Sequence, residues 1–117
     1  SEECKLVIFS QYFSFLDKIN QLLNFFNFKN YLCFGDDNQQ INTINDYNNQ
    51  KKSIILIQSN YHIKRLYFKK LDTIIFTEPY FKDIDFEDKI VKKILTKNLM
   101  KIKVLKLIID NTIEKEI

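Results

Sequence analysis

The residues able to do chemistry are few and scattered. His62 is the one histidine, and no serine, cysteine or carboxylate stands beside it at a spacing used in general-base catalysis. A packed or surface histidine is its default. Cys4 and Cys33 both lie in strand-like apolar contexts and read as reduced, buried thiols. Two cysteines and one histidine cannot furnish the four ligands of a structural zinc site. Asp36-Asp37 and the run Asp83, Asp85, Glu87, Asp88 invite a metal, yet acids at a helix start suit its dipole without any ion, which is the simpler reading. Basic residues gather at Lys51-Lys52, Lys64-Arg65, Lys69-Lys70, Lys92-Lys93 and Lys101/Lys103/Lys106. They could line a phosphate-binding face, or simply solvate helix surfaces. Tyr61, Tyr67, Phe68 and Tyr80 could stack on bases, but packing around a sheet is the plainer expectation. No stretch has the form G-x-x-x-x-G-K-[ST], so the chain holds no Walker A phosphate loop.

Composition bounds the frame in which these residues sit. A chain of 117 residues is expected to form one domain. Its core should bury about two thirds of the surface the unfolded chain exposes. No apolar run approaches the ~20 residues needed to cross a bilayer, so no membrane partner is expected. The acidic Ser1-Glu2-Glu3 opening is not a signal peptide. Seventeen lysines stand against a single arginine, Arg65, and the net charge is a mild +3. Arginine is the residue of bidentate phosphate contacts and of transition-state fingers, so its scarcity bears on both. Alanine is absent, and Gly35 and Pro79 are single examples of their kind, a bias that A/T-rich codons explain without any selected function.

The elements that must position these groups alternate in type. Residues 5–9 (KLVIF), 31–34, 53–58 (SIILIQ), 73–77 and 102–108 read as buried strands. Between the first two, Phe13, Leu16, Ile19, Leu22/Leu23 and Phe26 recur at helical spacing and predict an inward stripe, with Ser10 as the cap. Gly35-Asp36-Asp37-Asn38 is a polar exit into a weaker helix carrying Ile41, Ile44 and Tyr47. Residues 61–70 predict a short helix, and residues 85–97 a longer one with Phe86, Ile90 and Ile94 inward. Strand and helix in alternation, joined by short connections, predict an α/β three-layer domain: a mainly parallel sheet with helices on both faces.

Several segments together resemble one family. Lys5-Leu6-Val7-Ile8-Phe9-Ser10-Gln11-Tyr12 is similar to the entry strand "K-V-L-I-F-S-Q-F" of the C-terminal, RecA-like motor lobe of Swi/Snf-type superfamily-two helicases. Leu16-Asp17 falls where that family has "L-D". A strand ending in Glu78-Pro79, a helix, a further strand and the helix start Asn111-Thr112-Ile113-Glu114 follow the order of the lobe's end. The shortened loop at Phe34-Gly35-Asp36, with the Glu78-Pro79 pair, resembles the SHPRH type of remodeller, large ubiquitin ligases with a RING finger between motor elements.

The resemblance implies roles, residue by residue. Ser10 and Gln11, with Ser59 at the end of a later strand, would face the DNA backbone, together with Lys64 and Arg65. The family's glycine-rich loop falls on residues 61–68 (YHIKRLYF), where every glycine is replaced, so a close approach to phosphate should be lost. The family's arginine helix falls on residues 88–98, placing Lys92 and Leu95 at the arginines and Lys97-Asn98 at the closing Gly-Gln. Lys92 and Lys97 are then the candidates for a nucleotide cleft, with no catalytic residue and no metal ligand. The implied protein is a lobe cut from a longer, nuclear polypeptide, degenerate in its ATPase motifs and unable to hydrolyse ATP alone. Its partners would be a first helicase lobe in the same polypeptide and duplex DNA or nucleosomes. No cofactor belongs to this lobe, and ATP and magnesium would enter only with a first lobe. Two other classes stand beside it: a protein-interaction scaffold, contacting partners through residues 61–68, and a receiver- or flavodoxin-type enzyme. The latter ranks last, because the strand ends carry no acidic cluster or phosphate loop.

Overall fold

The computed structural model describes residues 4–59, 66–80, 82–97 and 101–107, with the backbone alone at 96 and 97. Within them the elements run β1 (Lys5–Ser10), α1 (Phe13–Phe25), β2 (Asn30–Cys33), α2 (Asp37–Asn48), β3 (Ser53–Gln58), β4 (Thr73–Phe76), α3 (Phe86–Lys97) and β5 (Lys103–Lys106). The sheet order is β2-β3-β1-β4-β5 and every pairing is parallel. The expected α/β layering is therefore the observed one.

The register explains which residues are core. Tyr31, Ile55, Val7, Ile74 and Val104 lie in one row across the sheet. They share a face with the next row, Cys33, Ile57, Phe9, Phe76 and Lys106, because side chains repeat every second residue. This face meets α2 through Ile44 and Tyr47 and α3 through Phe86, Ile90 and Ile94, and these residues form the main buried cluster. Phe9 and Phe76 stack at its centre with ring centroids 5.3 Å apart. The inward residues expected of α3 are all buried.

The opposite face is thinner. Its middle row is Leu32, Leu56, Ile8, Ile75 and Leu105. α1 packs over β2, β3 and β1, with Leu16 fully buried. The stripe expected to face inward does not do so as a whole. Leu22 is 59% exposed and Phe26 62%, and Phe13 is exposed as well. Two contacts, one polar and one aromatic, set the helix's rotation. Asn20 Nδ2 donates to Asn30 Oδ1 on β2, and Phe13 meets Phe34 edge-on just past β2. The helix ends in a left-handed residue, Asn27 at φ 62°, flanked by Phe28 N–H to Leu23 O at 2.8 Å and Asn27 N–H to Asn24 O at 3.1 Å. That pair of bonds satisfies carbonyls the helix would otherwise leave open.

Other expectations shift for identifiable reasons. Ser10 is not the cap of α1: Tyr12 holds that position and makes no side-chain cap bond, while Ser10 Oγ accepts from Tyr12 N–H at 3.1 Å. α2 is capped from both sides, Asp36 accepting from Gln39 N–H and Gln39 Oε1 from Asp36 N–H, each at 2.8 Å. Gly35 precedes it at φ 92°, and a Cβ there would collide with the Gln39 amide. Of the helix expected at 61–70, the first five residues lie outside the described ones. The rest is neither helix nor strand: Leu66 and Phe68 are buried while Tyr67 is exposed. Asn48 clamps this stretch as a strand would, donating to Tyr67 O at 2.9 Å and accepting from Lys69 N–H at 3.0 Å.

At the amino end of β1 a lysine is buried. Lys5 is 1% exposed, and its ammonium donates to the carbonyls of Tyr47 and Gln50 at the close of α2 and to Ser53 Oγ at 3.1 Å. It also sits over the Tyr47 ring, 3.5 Å from the centroid. A cation at a helix's carboxyl end complements its dipole. Burial nevertheless lowers the Lys5 pKa to about 8, with Asp72 acting in the other direction.

Candidate functional site

In an open parallel sheet, the crevice beyond the carboxyl ends opens between neighbouring strands whose chains leave in opposite directions. Here those strands are β1, which leads towards β2, and β4, which leads towards β5. Their ends are Ser10-Gln11 and Thr77-Glu78, with Ser59 following β3 on the other side of β1.

One carboxylate organises this corner. Glu78 Oε1 accepts from Ser10 Oγ at 2.7 Å and from Thr77 Oγ1 at 2.6 Å, and Glu78 Oε2 accepts from Gln11 N–H at 2.9 Å. Thr77 Oγ1 also lies 3.1 Å from the Phe9 carbonyl, and Thr77 N–H donates to the same oxygen at 3.0 Å. Gln11 Nε2 donates to Pro79 O and Gln58 Nε2 to Gln11 O, both at 3.0 Å. Ser59 N–H closes the other side on Ser10 O at 2.7 Å. Ser10, Ser59 and Thr77 are buried, whereas Gln11, Gln58 and Glu78 are half-buried. A carboxylate holding three donors at these distances is a strong anchor, since charge-assisted bonds are roughly twice as strong as neutral ones.

Three sequence-predicted residues are thus brought together: Ser10, Gln11 and Ser59 share this corner. The Ser10 hydroxyl is engaged within it, so the groups it turns outward are those at the start of α1. Lys64 and Arg65 lie outside the described residues. Lys92 is exposed on α3 and lines an open groove of about 560 Å³ with Asp88, Val91, Val104 and Lys106, between α3 and β5. Asp88 and Lys106 face each other there at 3.9 Å. Lys97 is the last residue of α3, and its side chain lies outside the described set. None of the strand-end residues lines the Lys92 groove, so the structure does not join the two groups of candidates.

The remaining chemistry-bearing residues have local partners. Asp83 accepts from Lys89 Nζ at 2.8 Å and from Asp85 N–H at 3.0 Å. These bonds, the lysine's first, hold its carboxyl below the ordinary carboxylate range. Cys33 is buried, and burial pushes its thiol up to about 12, which leaves it protonated and inert as a nucleophile. Cys4, read as a buried thiol, is exposed. Among the described residues no group of three or more His, Cys, Asp or Glu is placed to hold a metal, and no buried side-chain nitrogen or oxygen lacks a hydrogen-bond partner.

Sequence reasoning missed the anchoring by Glu78 and the burial of Lys5. The signal for the first was an acid directly after a buried strand, with a Ser-Gln pair ending another. The signal for the second, a lysine heading an apolar run, looks like an ordinary solvated strand start.

The comparisons with known proteins follow this geometry. The fold is similar to the crystal structure of the C-terminal part of the Fun30 ATPase domain, with a TM-score of 0.78 and 15% sequence identity. The match covers 97% of this chain and 38% of that one. No protein-family model matches the chain, and no curated protein matches it. At that identity the likeness establishes the fold alone, a RecA-like α/β layering. Among the described residues, no helix is long and apolar enough to cross a membrane.

Proposed function

We propose that this chain is the second, RecA-like lobe of a Swi/Snf-type DNA translocase, working as a structural or DNA-docking lobe of a larger nuclear polypeptide. The observation that carries this reading is the fold match over 97% of the chain, which joins the entry-strand resemblance at residues 5–12. The docking edge is the start of α1. Tyr12 supplies no side-chain cap and Phe15 N–H already donates to Tyr12 O at 3.2 Å, so the N–H groups of Phe13 and Ser14 are the ones offered to a phosphate oxygen, and the Glu78 anchor on Gln11 N–H fixes the turn before them. Ser10 and Ser59 act through the backbone they hold, with Gln11, Lys64 and Arg65 as the direct contacts. A first lobe in the same polypeptide supplies the nucleotide site, and ATP and magnesium belong to it.

The residues of α3 do not fit an arginine-finger half-site. Lys92 keeps a charge without the planar fork, and Leu95 keeps neither. The lobe on its own is therefore not an ATPase, and no step of hydrolysis is assigned to it.

The test is a titration with duplex DNA at 50 and 200 mM salt, beside an ATPase assay with and without DNA. Backbone contacts make binding fall steeply with salt. For about three neutralised phosphates, affinity should drop roughly 40-fold over that range. No turnover of ATP is expected. Absence of binding at both salt concentrations, or DNA-stimulated hydrolysis by these 117 residues, refutes the proposal.

A second reading has its own observation. The Ser10 hydroxyl is consumed by Glu78, and several large apolar side chains of α1 face solvent, as in a protein-interaction scaffold of a nuclear complex such as a RING-type ubiquitin ligase. DNA binding that is absent at low salt would favour it.

A further inference from the structure

All the strands are parallel, so their amino ends lie along one edge of the sheet, opposite the Glu78 corner. Lysines lead into four of them: Lys29 before β2, Lys51-Lys52 before β3, Lys69-Lys70 before β4 and Lys101 before β5. β1 itself begins with the buried Lys5. Register keeps the row level. Ile54 N–H bonds to Lys29 O, Ser53 N–H to Cys4 O, Asp72 N–H to Lys5 O and Lys103 N–H to Asp72 O. Lys29, Lys52 and Lys101 therefore stand within one residue of the same level, with Lys70 a little further out. All six lysines around Lys5 are exposed.

At the strand spacing of about 4.8 Å the row is about 19 Å long. Adjacent members are separated by about one Debye length or less at physiological salt, so their fields add. The acids do not cancel them. Among the described residues the acidic side chains at this edge are Asp46, near the end of α2, and Asp72, which accepts from Lys5 N–H at 2.6 Å. With Asp72 set against Lys5, and with Glu2 and Glu3 of the segment leading into Cys4 counted as well, two lysines remain for each acid. Helix dipoles account for part of the row, since Lys29, Lys51-Lys52 and Lys101 follow the ends of α1, α2 and α3. Lys69-Lys70, however, follow residues 66–68, which are not helical, and the end of α2 already holds the Lys5 ammonium.

The shape of the row selects the polyanion. Neighbouring strands turn by about 20–25°, so from β2 to β5 the row turns through roughly 90°. Duplex DNA, stiff over about 150 bp, does not follow such a turn, whereas a single strand does. Aromatic rings stand at one end. Phe28 continues the β2 register to the level of Lys52, and among the described residues Phe25, Phe26 and Phe28 are all exposed. Rings beside a lysine-lined track hold single strands without reading their sequence.

We infer that the amino edge of the sheet binds single-stranded nucleic acid, its phosphates along the lysines and its bases on the phenylalanines beside β2. The surface lies opposite the start of α1 and does not rest on the lobe reading.

The test uses the full chain and a labelled 12-nucleotide oligothymidylate, with anisotropy reading affinity at 50 and 200 mM salt. For about three neutralised phosphates, affinity should fall roughly 20-fold over that range. Lys52→Glu/Lys101→Glu should weaken binding at least 10-fold. Lys18→Glu/Lys82→Glu, with the same net charge but away from this edge, should change it less than threefold. Phe28→Ala should weaken binding at least threefold with an unchanged salt slope, because stacking releases no counterions. Circular dichroism checks that each variant folds. Four results overturn the inference. One is no binding at 50 mM salt. Another is equal loss in the two charge-reversed pairs, which would be diffuse attraction. The third is displacement of the oligonucleotide by polyglutamate at equal charge concentration, which would make the ligand an acidic protein. The last is tighter binding of a 12-bp duplex that Lys52→Glu/Lys101→Glu abolishes, which would make this a duplex surface.

Discussion

Replacing Lys5 with methionine should change the pH dependence of stability in a way whose sign the structure fixes. Burial lowers the Lys5 pKa from 10.5 to about 8. Between those values the unfolded chain keeps a proton that the folded one has released, so stability rises with pH. The slope is at most about 1.4 kcal/mol per pH unit, and the full shift is worth on the order of 3 kcal/mol before solvent screening reduces it. Cys33 opposes it. Its thiol moves from 9.0 up to about 12, so stability is lost as pH rises through that window, at the same slope. Tyr47, raised by burial first and then by Asp72 and Cys4, adds a second loss once pH passes 10. Urea denaturation from pH 7 to 11 should then show stability climbing between 8 and 9, level between 9 and 10, and falling beyond. Lys5→Met should remove the climb and leave a curve that is flat to pH 9 and falls above it. Cys33→Ala should keep the climb and carry the maximum towards pH 10. Parallel curves for the wild type and Lys5→Met would refute the buried-ammonium account.

Two further substitutions test the local geometry. Glu78→Gln replaces an acceptor pair by one acceptor and one donor facing Ser10 Oγ, Thr77 Oγ1 and Gln11 N–H; the loss should be about 1–3 kcal/mol in urea unfolding at unchanged m-value, and a loss under about 0.5 would show that the corner is not an anchor. Asn27→Gly should stabilise by a few tenths of a kcal/mol and Asn27→Ala destabilise by about 1, because the residue sits at φ 62°; equal stability of the two variants would contradict the left-handed helix end.

How much was legible in the sequence depended on the range of the contacts involved. β1, β3 and β4 were readable because buried parallel strands are continuous apolar runs, and the inward set of α3 because it has one stripe, whereas β5, expected to be buried, is an edge strand exposed at Lys103, Leu105 and Lys106. α1 was not, since it has two stripes and spacing alone cannot say which meets the sheet. The Asn20–Asn30 and Phe13–Phe34 contacts decide that, and both join the helix to the next strand. Residues 66–68 failed for a related reason: Leu66 and Phe68 alternate with Tyr67 as an extended segment does, and its clamp, Asn48, is 19 residues from Tyr67. The strand-end residues Ser10, Gln11 and Ser59 were visible as ends. Their anchor was not, because Glu78 is 68 residues from Ser10 and no local pattern links them.

Both ends of β1 are closed by a charged side chain from or against a distant segment. At the amino end the Lys5 ammonium is held by carbonyls of the α2 terminus, and at the carboxyl end the Glu78 carboxylate is held by donors of β1 and β4. Such charges are stable only where their partners stay fixed, since removing one partner leaves a desolvated charge behind. The central strand is therefore locked in register without the glycine-rich loop that the resemblance places at residues 61–68. The lock also restricts how the carboxyl edge can meet a nucleic acid. The Ser10 and Thr77 hydroxyls are already bonded, which leaves helix-start N–H groups, with Gln11, Lys64 and Arg65 in the proposed reading, as the donors. In the proposed reading these donors meet the phosphate backbone, so binding should depend little on DNA sequence and mainly on counterion release. A set of duplexes of equal length and differing sequence should accordingly bind within about threefold of one another, with a common salt slope.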